Sequence, residues 1–435
     1  MSNIVLFALA LIPIVGLMIA LGVMRIPAHK ACTITLLITM VLALLIWKMP
    51  ALLVATAALE GAVIGLWPIM IVIVAAIFTY NLAVHTKSME TIKTMLSGIT
   101  TDRRIQVLIL AWGFGGFLEA VAGYGTAVAI PASILASLGF DPLFAAVICL
   151  VANTVPTAFG AVGIPVTTLA KVTGLNVSIL SFNVALQLVV FIVIVPFILV
   201  MMTTNSVKGI KGVAGITLAS GLAFALPQLL VAKYLGAELP ALVGSIASMG
   251  VTIFLAKRMK KDKFASSEKQ TISMKEGILA WLPYILIFAF VILSSPLFPD
   301  LNEMLTHVKS SIPIYVGQGA APTTLKWIAT PGVLIIFATF IGGRIQGARF
   351  REMVLVLGTT MNQLKKSAIT VVSIVAMAKI MAYSGMIASI ALVLVQITGR
   401  FFPLVAPMIG MLGTFVTGSD TSSNILFGAL QTEVA

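Results

Sequence analysis

Residues 115–132 read GGFLEAVAGYGTAVAIPA. Apart from Glu119, Tyr124 and Thr126, every side chain in this stretch is apolar or absent, so it belongs in hydrocarbon. A straight transmembrane helix is nevertheless a poor description of it. Gly123 and Gly125 stand two residues apart and Pro131 follows, and relative to alanine these residues weaken a helix by about 1 kcal/mol per glycine and about 3 per proline. Backbone that leaves helical geometry in lipid strands polar groups at several kcal/mol each, so it persists only where it is buried in protein or lines a cavity. A lone carboxylate, Glu119, sits four residues before the first break, and an ionisable group at membrane depth is a functional hypothesis by default. The stretch predicts a broken helix within a bilayer and a site at the break.

The rest of the chain agrees. Of 435 residues, 60% are apolar and 9% charged, against roughly a quarter charged in a soluble domain, which excludes a soluble enzyme. At about 20 residues per crossing the length accommodates roughly 10–13 spans, so the fold class is an all-α polytopic membrane protein. The net charge of +13 reads as basic cytoplasmic loops, with no nucleic-acid partner. Cys32 and Cys149 lie in apolar runs, and the three histidines are scattered at 29, 85 and 307. No metal, disulfide or cofactor is expected.

Asn3 to Met24 reads as a first span, being too long for a signal-peptide core and without a cleavage site. A second follows at Ala31 to Trp47. Ala51 to Trp67, interrupted by Glu60, and Pro68 to Val84 read as two further segments, with Glu60 and His85 as span-end residues. Lys87 to Arg104 is basic and amphipathic, suited to lying at the interface. Long spans return at Val177 to Met202, Val213 to Tyr234, Leu239 to Ala256 and Ile278 to Leu297. The chain divides into N-terminal spans (1–49), a first transport repeat (50–205), connecting spans with a cytoplasmic loop at 257–275 (206–312), and a second transport repeat (313–435). The repeat rests on a shift of 262 residues that carries Gly123 onto Gly385, Arg103-Arg104 onto Lys365-Lys366 and Pro156 onto Gly418. In that register the counterpart of the Val177 span falls beyond Ala435, so a C-terminally truncated second copy is expected. Both basic amphipathic stretches, 87–104 and 344–366, favour the cytoplasm, whereas inverted copies place them on opposite faces; whether 313–330 crosses the membrane decides between parallel and inverted repeats.

Interrupted helices at matching places of a duplicated transporter mark a binding site near the midplane, where freed N–H groups attract anions. Three breaks qualify: Gly123-Tyr124-Gly125-Thr126, Asn153-Thr154-Val155-Pro156, and Thr417 to Asn424 (TGSDTSSN). The plainer account of the last is an aqueous loop with a helix cap at Ser419 or Asp420. Glu119 and Asp420 are candidates for a coupling proton, or else structural carboxylates. Lys379 is a candidate charge partner, or a side chain that reaches to an interface. Trp112 to Gly116 is no phosphate loop, and no HExxH motif or His-paired serine supports an intramembrane enzyme.

GGFLEAVAGYGTAVAIPA, ANTVPTAFGAVGIPV and TGSDTSSNILFGALQ resemble the three signature stretches of the bacterial L-lactate permease family, in the same order and across essentially the whole chain. The resemblance implies a multi-pass carrier of the bacterial cytoplasmic membrane that moves lactate and glycolate with protons. It also implies inverted repeats and re-entrant hairpins, as in the broader ion transporter superfamily. By position it makes Glu119, Gly123, Gly125, Asn153, Pro156, Ser419, Asp420, Thr421 and Asn424 the family's residues in this chain, and we place them at the site. To these we add Tyr124, Thr126, Thr154, Ser422 and Ser423 as residues around a small monocarboxylate. The family's chains normally continue past GALQ into a further glycine-rich motif and a last helix, and the resemblance carries no general role over to Lys379. A channel, a cation/proton antiporter and an inactive fragment are the alternatives, and a homodimer is left open.

Overall fold

The computed structural model describes residues 2–121, 123, 126–259, 273–294, 298–317, 322–417 and 419–434. Ten of their helices are long and apolar enough to cross a bilayer, or eleven if the bent pair Pro142–Asn153 and Pro156–Thr173 is one span. The expected all-α polytopic architecture is present. Most of the 257–275 loop, along with Tyr124, Gly125 and Gly418, lies outside the described residues.

The longest helix, Phe350–Ser384, measures about 52 Å at 1.5 Å per residue. Ala28–Leu45 runs beside it in the same direction: the Thr33 and Ser373 hydroxyls are 3.2 Å apart and Trp47 Nε1 donates to Ser389. The two segments read separately at 51–67 and 68–84 form one run, Ala51–His85, kinked at Trp67 (φ −130°, ψ 115°). It descends antiparallel along the same scaffold, because Gly61 and Gly65 let its backbone rest on Ala376 and Val372.

That packing corrects the reading of Glu60. It is no span-end residue but lies mid-helix, 3% exposed, 2.8 Å from Lys379 Nζ and accepting from the Tyr383 hydroxyl at 2.9 Å. Tyr315, from the linker, stacks on Tyr383 at 3.8 Å. Lys379 is therefore a charge partner, but of Glu60 and far along the chain from the breaks. Removing one member of a buried pair strands the other at about 3–5 kcal/mol. Lys379→Met is expected to lower the melting temperature in detergent sharply, and Glu60→Gln added to it to recover most of the loss. An unchanged melting temperature for Lys379→Met would contradict the pairing.

Val177–Thr204, Ala214–Tyr234 and Pro240–Arg258 pack through small residues, as membrane helices do. Gly221 lies against Val193, Gly244 against Phe224, and Ser248 donates to the Ser220 carbonyl at 2.8 Å. Their surface receives the helix Arg103–Val121, where Gly113 meets Met249 and Gly116 meets Phe224 and Ser245.

Two helical hairpins follow from the breaks. Thr126–Ser137 folds back on Arg103–Val121: Gly115 abuts Ala127 and Pro131, and Arg103 donates to the Gly139 carbonyl at 3.2 Å. Asp420–Val434 likewise folds back on Phe402–Thr417, with Ser423 Oγ donating to Gly410 at 3.3 Å and Gln431 Nε2 to Ala406 at 3.1 Å. The base of the first hairpin is tied to the basic 208–211 turn, since Arg104 donates to the carbonyls of Gly209 (2.8 Å) and Lys211 (3.0 Å). The second hairpin's return helix runs alongside and parallel to Gly160–Thr173, with Asn424 Nδ2 donating to the Pro165 carbonyl at 3.1 Å and Gly428 beside Leu169 and Thr173. It therefore opens at the opposite face, and both hairpins pack on the broken helix, Gly123 against Ala161 and Asn424 against Pro165.

The 262-residue register pairs Gly123 with Gly385. Gly123 and Gly385 are both left-handed, at φ +57° and +88°. The hairpin opposed to 103–137 is nonetheless 402–434 and not the segment after Gly385. Among its described residues the linker forms the helix Pro299–His307 and a two-stranded ribbon, Lys309–Ile312 against Thr323–Lys326, which Trp327 joins to Trp67 at 5.1 Å between ring centroids. Ile71–His85 and Pro331–Ile345 consequently run parallel, with Thr79 and Thr339 hydroxyls 2.6 Å apart and Thr86 donating to Gln346 at 3.0 Å. The basic stretches that follow them share one face, which the excess of lysine and arginine marks as cytoplasmic.

Candidate functional site

The site lies where the two hairpin tips meet the bend between Pro142–Asn153 and Pro156–Thr173, which amounts to 59°. The bend begins at Pro156, which cannot donate to the preceding turn, and passes through a short 3₁₀ turn at Pro156–Phe159. Three consecutive left-handed residues follow: Ala161 (φ +44°), Val162 (φ +57°) and Gly163 (φ +72°). A left-handed conformation costs an L-residue about 1–2 kcal/mol, and a β-branched one at least as much. Such strain persists only where its surroundings enforce it. Here Gly163 is pressed against the Ala237 carbonyl.

Glu119, 6% exposed, projects from the first hairpin into this bend. Its carboxylate takes a hydrogen bond from the Asn153 side chain and lies within electrostatic reach of Asp420. It fills the space where a side chain at Gly160 would stand. Gly123, whose N–H donates to Leu118 at 3.1 Å, brings the hairpin tip against Ala161, where an added Cβ would meet the Ala161 Cβ at 3.3 Å. Among the described residues the Asn153 Oδ1 is buried without a hydrogen-bond partner, and a buried acceptor of this kind calls for a donor. Glu119, Gly123, Asn153, Pro156 and Asp420 are thus brought together from three elements.

The polar run of the second hairpin divides its work. Ser419 Oγ accepts from the Ser422 N–H at 3.3 Å, as an N-cap does, and Asp420 occupies the first turn of its helix. Ser423 and Asn424 hold the hairpin to Gly410 and Pro165. Among the described residues, the Thr421 and Ser422 hydroxyls have no protein partner. The Thr154 hydroxyl is turned back on its own helix, donating to Val151 at 2.8 Å. Thr126 starts the returning helix of the first hairpin; Tyr124 and Gly125 fall outside the described residues. Lys379 is held by Glu60. Among the described residues no group of three or more His, Cys, Asp or Glu side chains could hold a metal.

Sequence reasoning missed Gly160, Ala161, Val162 and Gly163. The signal was present as two glycines and Pro165 within six residues, but nothing marks alanine or valine as left-handed. Because Asn424 pins one hairpin to the broken helix, Asn424→Ala is expected to weaken substrate affinity about tenfold, as loss of a buried hydrogen bond would, with the protein still folded. An unchanged KM would show the contact to be idle.

A sequence profile of the L-lactate permease family matches residues 6–435. An L-lactate permease of Streptococcus iniae is 55% identical over 427 residues, covering 98% of this chain and 90% of the relative. The glycolate permease GlcA of Escherichia coli (strain K12) is 35% identical over 465 residues, covering 98% and 83%. An L-lactate permease of Bacillus subtilis (strain 168) is 33% identical over 480 residues, covering 99% and 84%. No solved structure matches the chain.

Proposed function

The chain belongs to the L-lactate permease family of multi-pass bacterial membrane transporters, and from that premise we propose that it is a secondary carrier taking up L-lactate, D-lactate, glycolate and related 2-hydroxy monocarboxylates together with protons. The observation that carries this reading is the meeting of two oppositely opening hairpins on one unwound stretch of helix. A substrate bound there is reached from either face by moving one hairpin relative to the other, which is what alternating access requires. The carboxylate is met by N–H groups freed at the helix breaks near Thr126 and Asp420. Thr421 and Ser422 offer hydroxyls to the substrate's 2-hydroxyl, and the Asn153 Oδ1 offers an acceptor. Glu119, with Asp420 beside it, takes the coupling proton.

Purified protein in liposomes is expected to accumulate labelled L-lactate when the outside is made acid, and to lose the accumulation when a protonophore is added. Flux that runs only down the lactate gradient, whatever the proton gradient, would make the protein a uniporter or channel.

A further inference from the structure

A cavity of about 560 Å³ opens away from the cytoplasmic face and is lined by Val162, Ile164, Thr168, Lys171, Glu238 and Lys326, among others. Val162 belongs to the left-handed stretch, whose neighbour Ala161 touches the Gly123 tip beside Glu119. One strained segment thus separates the cavity from the site of the hairpins. We propose that this cavity is an outer capture site, which binds the 2-hydroxy carboxylate through Lys171, Lys326 and Thr168 before it reaches the hairpin tips. The inference rests on the carrier reading, and it assigns residues that none of the signature stretches contains.

Three observations support it. Lys171 lies within electrostatic reach of both Glu238 and Lys326, so two cations face one carboxylate. Among the described residues neither lysine has a carboxylate oxygen within 4 Å, so no close ion pair forms and the two cations outnumber the single carboxylate. Thr168 is 1% exposed, yet among the described residues its hydroxyl has no partner. The usual acceptor one turn back, the Ile164 carbonyl, receives the Thr167 hydroxyl instead. Thr168 and Lys171 stand three residues apart on one helix and share a face, so a carboxylate on Lys171 brings an adjacent hydroxyl within reach of Thr168. A volume of this size holds a small hydrated acid, and cations in a cleft concentrate anions from solution.

Trp67 also lines the cavity, 5.1 Å from Trp327, and supplies a reporter that does not depend on transport. L-lactate titrated onto the detergent-solubilised protein is expected to change tryptophan emission saturably. Lys171→Gln combined with Lys326→Gln should weaken the midpoint about tenfold, the effect of losing charge-assisted hydrogen bonds, and should flatten its dependence on salt. Glu238→Gln, which removes the opposing charge, should tighten it. The same midpoint in the double variant, a weaker one in Glu238→Gln, or no saturable change in the unaltered protein would overturn the proposal. If the carrier reading alone is wrong, the protein binds in this assay yet shows no lactate flux in liposomes.

Discussion

Glu119→Gln is expected to abolish proton-driven accumulation while leaving lactate exchange within a few fold of the unaltered protein. Glutamine preserves the size of the side chain and still pairs with the Asn153 amide, so the bend around Gly160 keeps its filling. What it loses is a titrating group. A carrier that moves one proton with one monocarboxylate converts a pH difference of one unit, about 1.4 kcal/mol, into an accumulation of about tenfold. Without the titrating group the ratio collapses to about one. Asp420→Asn is the companion variant: its carboxylate lies within reach of Glu119 but starts a helix, where it also stabilises the N-terminus. Loss of coupling in Asp420→Asn with full coupling in Glu119→Gln would reassign the proton to Asp420. Full coupling in both would remove this pair from the mechanism.

The second large effect is expected at Gly163. Its φ of +72° is shared by Gly174, but the two glycines stand in different surroundings. A Cβ on Gly163 would drive into the Ala237 backbone carbonyl, whereas among the described residues nothing lies within 4 Å of one on Gly174. Gly174→Ala therefore carries only the conformational penalty of about 1–2 kcal/mol. Gly163→Ala adds a backbone clash that no rotamer relieves, where the strained segment rests on the Ala237 carbonyl. It is expected to lower the melting temperature several times more than Gly174→Ala and to eliminate transport. Equal melting temperatures and normal transport in both variants would mean that the 161–163 stretch is not fixed by the 236–239 turn.

Much of this architecture is legible in the sequence, because the bilayer imposes a coarse rule: apolar runs cross, and glycine or proline within them marks a break. That rule locates Gly123, Pro156 and the TGSD run, and the scarcity of charge isolates Glu119. The rule fails where the outcome depends on what packs against a residue. Glu60 looks like a span end until Lys379, 319 residues later, is laid beside it. The direction of each hairpin depends on which neighbour its return helix meets, and a shift of 262 residues cannot express that. Lys171 reads as an ordinary cation near a helix end, and its relation to Lys326 arises only when the linker folds back over the mouth of the cavity.

A carrier whose one site, formed by the two hairpins and the strained bend, faces the two sides of the membrane in turn is expected to show counterflow. Liposomes containing the protein are loaded with unlabelled L-lactate and diluted into a trace of labelled L-lactate with no proton gradient. A carrier gives a transient rise of label above its equilibrium level, followed by decay, and glycolate outside suppresses the rise. Label that enters monotonically, without overshoot and without competition, would contradict alternating exposure of a single saturable site.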